Sequence, residues 1–109
     1  MKKSEIKISV TLDEHHIPEK LEWFADDANQ QGEVKAAILS LWDSSKKETL
    51  RIDLWTKDML VDEMKMFIHQ TFLTMADTYE KATGEQETAN EIRKFTERFA
   101  ELSKIGSAH

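Results

Sequence analysis

The apolar positions change period halfway along the chain. Up to Leu54 they recur at every second residue, and from Met64 onward at every third or fourth. Ile6, Ile8, Val10 and Leu12 alternate with Lys7, Ser9 and Thr11, which reads as a strand with one apolar face. Leu21, Trp23 and Ala25 alternate with Glu22, Phe24 and Asp26 after His16-Ile17-Pro18, where Pro18 suits a strand edge or a helical turn. Ala37, Leu39 and Leu41 share one face of a third strand. Leu50, Ile52 and Leu54 share one face of a fourth, and the polar run from Asp43 to Glu48 lies between. A one-residue slip inverts every side chain, so both sets reach one side only if paired residue numbers have an odd sum. A sum of 91 pairs Leu41 with Leu50, Leu39 with Ile52 and Ala37 with Leu54, closed by a four-residue loop at Ser44 to Lys47.

In the second half, Met64, Phe67, Ile68, Phe72, Met75 and Tyr79 form the stripe of an amphipathic helix. Thr56 or Asp58 is available to cap its start, and Thr83-Gly84 ends it. Thr88 to Glu91 matches a capping box opening a second helix, whose stripe is Ile92, Phe95, Phe99 and Leu102, with Gly106 beyond its end. Strands followed by helices predict the α+β class. The expected architecture is a single domain, residues 1–109. A four-stranded antiparallel meander (about 4–12, 20–26, 35–43 and 48–56) precedes two helices (about 60–83 and 88–104) packed on one face.

Composition narrows the function. The chain has no cysteine, which removes disulfides, thiolate metal sites and cysteine nucleophiles. Lys2 and Lys3 are followed by Glu5 and Lys7 rather than an apolar run, so neither a secretory signal nor membrane insertion is expected, and the cytoplasm is the expected location. The net charge of −6 equals the sum over Asp13 to Glu33 alone, seven acids against Lys20. Without a basic stripe such a chain repels phosphate backbones, so no nucleic-acid partner is expected.

The residues that could carry chemistry are few. His15 and His16 are adjacent and point to opposite sides of an extended segment, and the residues four away from His69 are Lys65 and Leu73, so no metal site is expected. Asp53, between Ile52 and Leu54 and opposite Ile38, reads as a solvent-facing residue rather than a catalytic carboxylate. With no phosphate loop and no nucleophile elbow, no catalytic residue and no cofactor is expected. The pairing also sends Ile38, Trp42 and Trp55 away from the leucines, joined by Phe24 if its strand has the same parity. Interleaved with Ser40, Arg51 and Asp53, these residues are the candidate protein-binding or self-association face, unless the segment Asp26 to Glu33 folds over them. Met59, Met64, Met66 and Met75 read as core more than as an adaptable binding surface.

The stretch Glu48 to Met59, with Val61 to Lys65 and His69-Gln70-Thr71, resembles the GldC family of gliding-motility-associated proteins of Bacteroidetes. So do Lys2 to Ile8, Pro18 to Trp23 and Leu41 to Ser44, whereas Leu60 stands where a proline would be expected. The resemblance implies a non-enzymatic accessory protein of gliding, in cells whose motility is tied to type IX secretion. Its partner would be a protein, another gliding component, and homo-oligomerisation stays open. The order of four strands then two helices also looks like the export chaperone SecB, which supplies an alternative function: holding client proteins for secretion. A small enzyme or carrier with a pocket between sheet and helices is the third reading.

Overall fold

The computed structural model describes residues 2–27 and 29–105. Its elements are β1 (Ile6–Leu12), β2 (Pro18–Ala25), β3 (Gln30–Val34), β4 (Ala36–Asp43), β5 (Glu48–Trp55), α1 (Val61–Thr83) and α2 (Gln86–Ser103). The α+β class holds, with two helices after a β-rich region. The strands make two antiparallel sheets, β1-β2-β3 and β4-β5, and not one four-stranded meander. The difference arises before the expected third strand: residues 30–34 form an additional strand, β3, which pairs with β2, and a bend at Lys35 separates it from β4. The chain forms two compact units, residues 1–59 and 60–109.

In the first unit two turns, between β1 and β2 and between β4 and β5, are each held by an aspartate that accepts backbone N–H groups from the residues after it, a local alternative to ladder bonding. Asp13 Oδ1 accepts from the His15 and Ile17 N–H groups at 2.8 and 3.0 Å, and His16 takes a left-handed φ of 63°. Asp43 Oδ1 accepts from the Ser45 N–H and hydroxyl at 3.0 and 2.8 Å and from the Lys46 N–H at 3.3 Å. Lys47 then turns through φ 54° into β5. This four-residue loop closes the hairpin in the expected register, pairing Leu41 with Leu50, Leu39 with Ile52 and Ala37 with Leu54.

Pro18 opens β2, where its missing N–H costs nothing, and pairs with Leu12 across a register shift. Leu21, paired with Val10 and Val34, is fully buried. Trp23 lies opposite Gly32, where an added Cβ would sit 3.1 Å from the indole Nε1; the missing side chain makes room for the ring. The two sheets are tied where β5 ends. There the Thr56 N–H donates to the Lys35 carbonyl at 2.8 Å and the Lys57 N–H to the Pro18 carbonyl at 3.1 Å. The Thr56 hydroxyl, buried, bonds Asp58 and the Lys35 carbonyl. Both residues expected to cap the first helix are thus used at this joint.

α1 is opened by Leu60 instead, whose N–H donates to Glu63 Oε1 at 3.0 Å. A proline at this position would have no N–H for that bond. Gly84 closes α1 in the left-handed conformation, φ 74°, its N–H on the Glu80 carbonyl at 2.8 Å. α2 starts at Gln86, two residues before the expected capping box, and Thr88 instead bonds Glu85 from inside the helix. Ala76, Ala89 and Thr96 are buried in this unit, and their small size permits close approach of helix backbones. Phe72 meets Phe95 and Phe99 edge-on, with ring centres 5.7 and 5.2 Å apart. Arg93 of α2 joins Asp77 and Glu80 of α1 at 2.9 and 2.8 Å, and Lys65 donates to the Ser103 carbonyl at the end of α2. Gly106 lies outside the described residues.

Space around Gly84 is open, so only its backbone conformation matters to a substitution. Gly84→Ala should destabilise the protein by about 1 kcal/mol, the cost of placing a Cβ in the left-handed region. Urea denaturation measures this, and an unchanged midpoint would show that the turn does not limit stability.

Candidate functional site

Much of the expected inner faces of the strands is not buried, although Leu21 is. Ile6, Ile8, Val10 and Leu12 are exposed along β1, an edge strand, and so are Leu39, Leu41, Leu50 and Ile52 on the hairpin. A two-stranded hairpin has two faces and no second layer of its own. Here both faces carry large apolar residues. The register places Ala37, Leu39, Leu41, Leu50, Ile52 and Leu54 on one face, with Asp43 and Glu48 paired at its turn end. The other face reads Ala36–Trp55, Ile38–Asp53, Ser40–Arg51 and Trp42–Thr49 from the open end to the turn.

That second face holds three of the four candidate binding residues. Trp42 is 65% and Trp55 55% exposed, while Ile38 between them is half-buried. Six residue steps separate the rows of the two tryptophans, roughly 20 Å at the usual strand rise. The tryptophans therefore bracket the face rather than touching. Its centre carries an ion pair between Arg51 Nε and Asp53 Oδ1 at 2.7 Å. This is the environment found for Asp53, on the open face and opposite Ile38. Phe24 belongs to the other sheet. It pairs with Lys7 and Gln31, is half-buried, and lines a shallow depression with Asp26, Asn29 and Gln30. The segment Asp26 to Glu33 does not serve as a cover: from Gln30 it is β3, hydrogen-bonded to β2.

A third apolar surface lies on the helical unit. Phe72, Met75, Tyr79, Ile92 and Phe95 line an open groove of about 760 Å³ along α1 and α2. Met75 and Met66 of the methionine stripe are exposed, whereas Met59 and Met64 are half-buried. The Tyr79 hydroxyl donates to Glu85 at 2.6 Å, which pushes its pKa up and keeps the phenol protonated.

Among the described residues the histidines do not gather at one place. His15 and His16 occupy the β1–β2 turn, and His69 stacks on Phe99 with ring centres 6.4 Å apart. Among the described residues no three His, Asp or Glu side chains converge as a metal ion would need. The shifted carboxyls are structural in position. The Ile17 N–H, Lys57 ammonium and His15 N–H hold Asp13 below its ordinary value, against a smaller effect of burial. Lys57 Nζ is 3.1 Å from Asp13 and 3.7 Å from Glu19, and its own pKa is raised by them. The Thr56 hydroxyl lowers Asp58 in the same way.

Fold and surface thus define a small α+β protein whose sheets keep apolar faces open and whose titrating groups serve its turns and joints. The chain belongs to the GldC-like family. The family model, described as gliding motility-associated protein GldC-like, matches residues 18–105, and the chain is accordingly a gliding-motility-associated protein. No curated protein and no solved structure matches the chain, so the likeness to SecB is not shown. Among the described residues no helix is long and apolar enough to cross a membrane.

Asp13 is charged in the fold with a lowered pKa, so its contribution is full above its ordinary value of 3.8 and is lost as pH falls through the lowered native value. Asp13→Asn keeps an acceptor for the turn and loses the attraction to Lys57. The variant should be less stable than wild type at about pH 6, with the gap closing towards about pH 2. Urea melts across that range measure it, and a gap constant with pH would remove the charge from the account.

Proposed function

We propose that this protein is a non-enzymatic accessory component of gliding that acts in the cytoplasm by binding another protein of the motility apparatus. The Trp42–Trp55 face of the hairpin is its docking surface. One observation carries this reading: two large, exposed tryptophans bracket an arginine–aspartate pair on a face that nothing in its own sheet covers. Tryptophan and arginine are the residues that dominate recognition between folded proteins, because they combine large apolar area with a polar handle. Ile38 adds apolar contact at the centre, and Ser40 and Thr49 supply hydroxyls for hydrogen bonds. Phe24, in the other sheet, extends the surface only to a partner that spans both sheets. In type IX-secreting gliders the partner is a motility component; the binding chemistry asks for an amphipathic surface with an acid and a base to meet Arg51 and Asp53.

The same exposure supports the chaperone alternative, since open apolar strands can also hold unfolded segments. The two functions differ in selectivity. A docking face for a folded partner depends on both tryptophans and leaves aggregating proteins unaffected, whereas a holdase suppresses aggregation of many clients.

In a gliding bacterium with the chromosomal copy deleted, Trp42→Ser/Trp55→Ser should accumulate normally, keep the wild-type circular dichroism spectrum and fail to restore movement. Full movement with the double variant would remove this face from the function. Suppression of citrate synthase aggregation by the purified wild-type protein would favour the chaperone.

A further inference from the structure

We propose that the aliphatic face of the β4–β5 hairpin is covered by the same face of a second copy of this chain. This goes beyond the partner reading, concerns the opposite side of the hairpin, and stands independently of it.

The two hairpin faces differ in kind. The tryptophan face mixes aromatic, charged and hydroxyl side chains, as surfaces that meet a partner reversibly do. The other face is aliphatic without interruption over three successive pairs, Ala37–Leu54, Leu39–Ile52 and Leu41–Leu50. Its composition is that of a protein interior cut in half, the signature of a permanent interface between copies. Leu41 is 50% and Ile52 49% exposed, and a two-stranded hairpin has no second layer of its own to cover them.

Charge selects which part of the chain can meet its own copy. The net charge of −6 opposes self-association. From Ala36 to Trp55, however, Asp43, Glu48 and Asp53 balance Lys46, Lys47 and Arg51, so the hairpin is neutral. Lys46 and Lys47 in the turn lie beside Asp43 and Glu48 and offset them, so the approach of two hairpins is less opposed than that of the chain as a whole.

Charge also sets the orientation. Asp43 and Glu48 are the only charged residues on the aliphatic face, and both lie at its turn end. Stacking the hairpins with turns at the same end would gather four carboxylates. A two-fold axis through the middle of the face places the turns at opposite ends and the acidic pairs far apart. The Leu39–Ile52 row of one copy then lies over the Leu41–Leu50 row of the other, in a sandwich with sheets roughly 10 Å apart. The tryptophan faces of both copies point outward, giving two docking surfaces per dimer.

Sedimentation equilibrium of the full chain should give a dimer. Leu41→Glu should weaken that dimer by ~100-fold or more, the effect of a charge in the centre of an apolar interface. Trp42→Ser/Trp55→Ser should leave it intact. Because the chain has no cysteine, a single Leu41→Cys or Trp42→Cys reports position without altering the fold by charge. A short bis-maleimide linker should join copies through Cys at position 41 and not through Cys at position 42. A wild-type monomer, or linking at position 42 alone, would overturn the proposal.

Discussion

The pairing of β4 with β5 decides what this protein can present to its surroundings. Two strands joined by a four-residue loop have one register that puts Leu39, Leu41, Leu50 and Ile52 together, and the structure adopts it. The same register necessarily collects Ile38, Trp42 and Trp55 on the reverse. A hairpin of two strands cannot hide both faces with its own residues. Apolar patches of this kind on a folded chain are sites of association more often than accidents of composition.

The turn chemistry serves this pairing. Asp43 gathers three donors and Asp13 two, each from residues just downstream, so both reversals are held by local bonds. Thr56 and Lys57 then tie the hairpin's open end to the first sheet through carbonyls of Lys35 and Pro18. The hairpin is therefore anchored to the first sheet at its open end. In the first unit the groups with shifted values, Asp13, Asp43, Lys57 and Asp58, sit at turns and at this joint. Electrostatics here stabilises the scaffold.

Where the period of the side chains was strong, the fold was legible in the residues. The hairpin register, its loop, both helices and the stop at Gly84 followed from spacing alone. β3 did not, because Gln30, Gln31, Gly32 and Glu33 offer one small and three polar residues where a strand usually shows alternation. What holds β3 is its partner: Gly32 admits the Trp23 ring and Val34 meets Leu21. The expected cap residues failed for a related reason, since Thr56 bonds the Lys35 carbonyl across the sheet joint, which no local spacing shows, and Asp58 is taken up by the Thr56 hydroxyl. Burial was the largest difference. Period two reveals that a face is apolar, but not what lies over it, so Ile6, Leu41 and Ile52 read as core and are exposed. Of the candidate site, Ile38, Trp42 and Trp55 share a face because their parity is local, whereas Phe24 depended on joining strands across the bend at Lys35.

Docking through Trp42 and Trp55 requires that their face be open to water in the protein as it stands. Tryptophan emission of the full-length Trp23→Phe variant tests this directly, because only Trp42 and Trp55 then report. The emission maximum should be that of water-exposed indole, and acrylamide should quench all of it with a single accessible population. A blue-shifted maximum with a protected fraction would mean that the face is already covered, and would contradict the account.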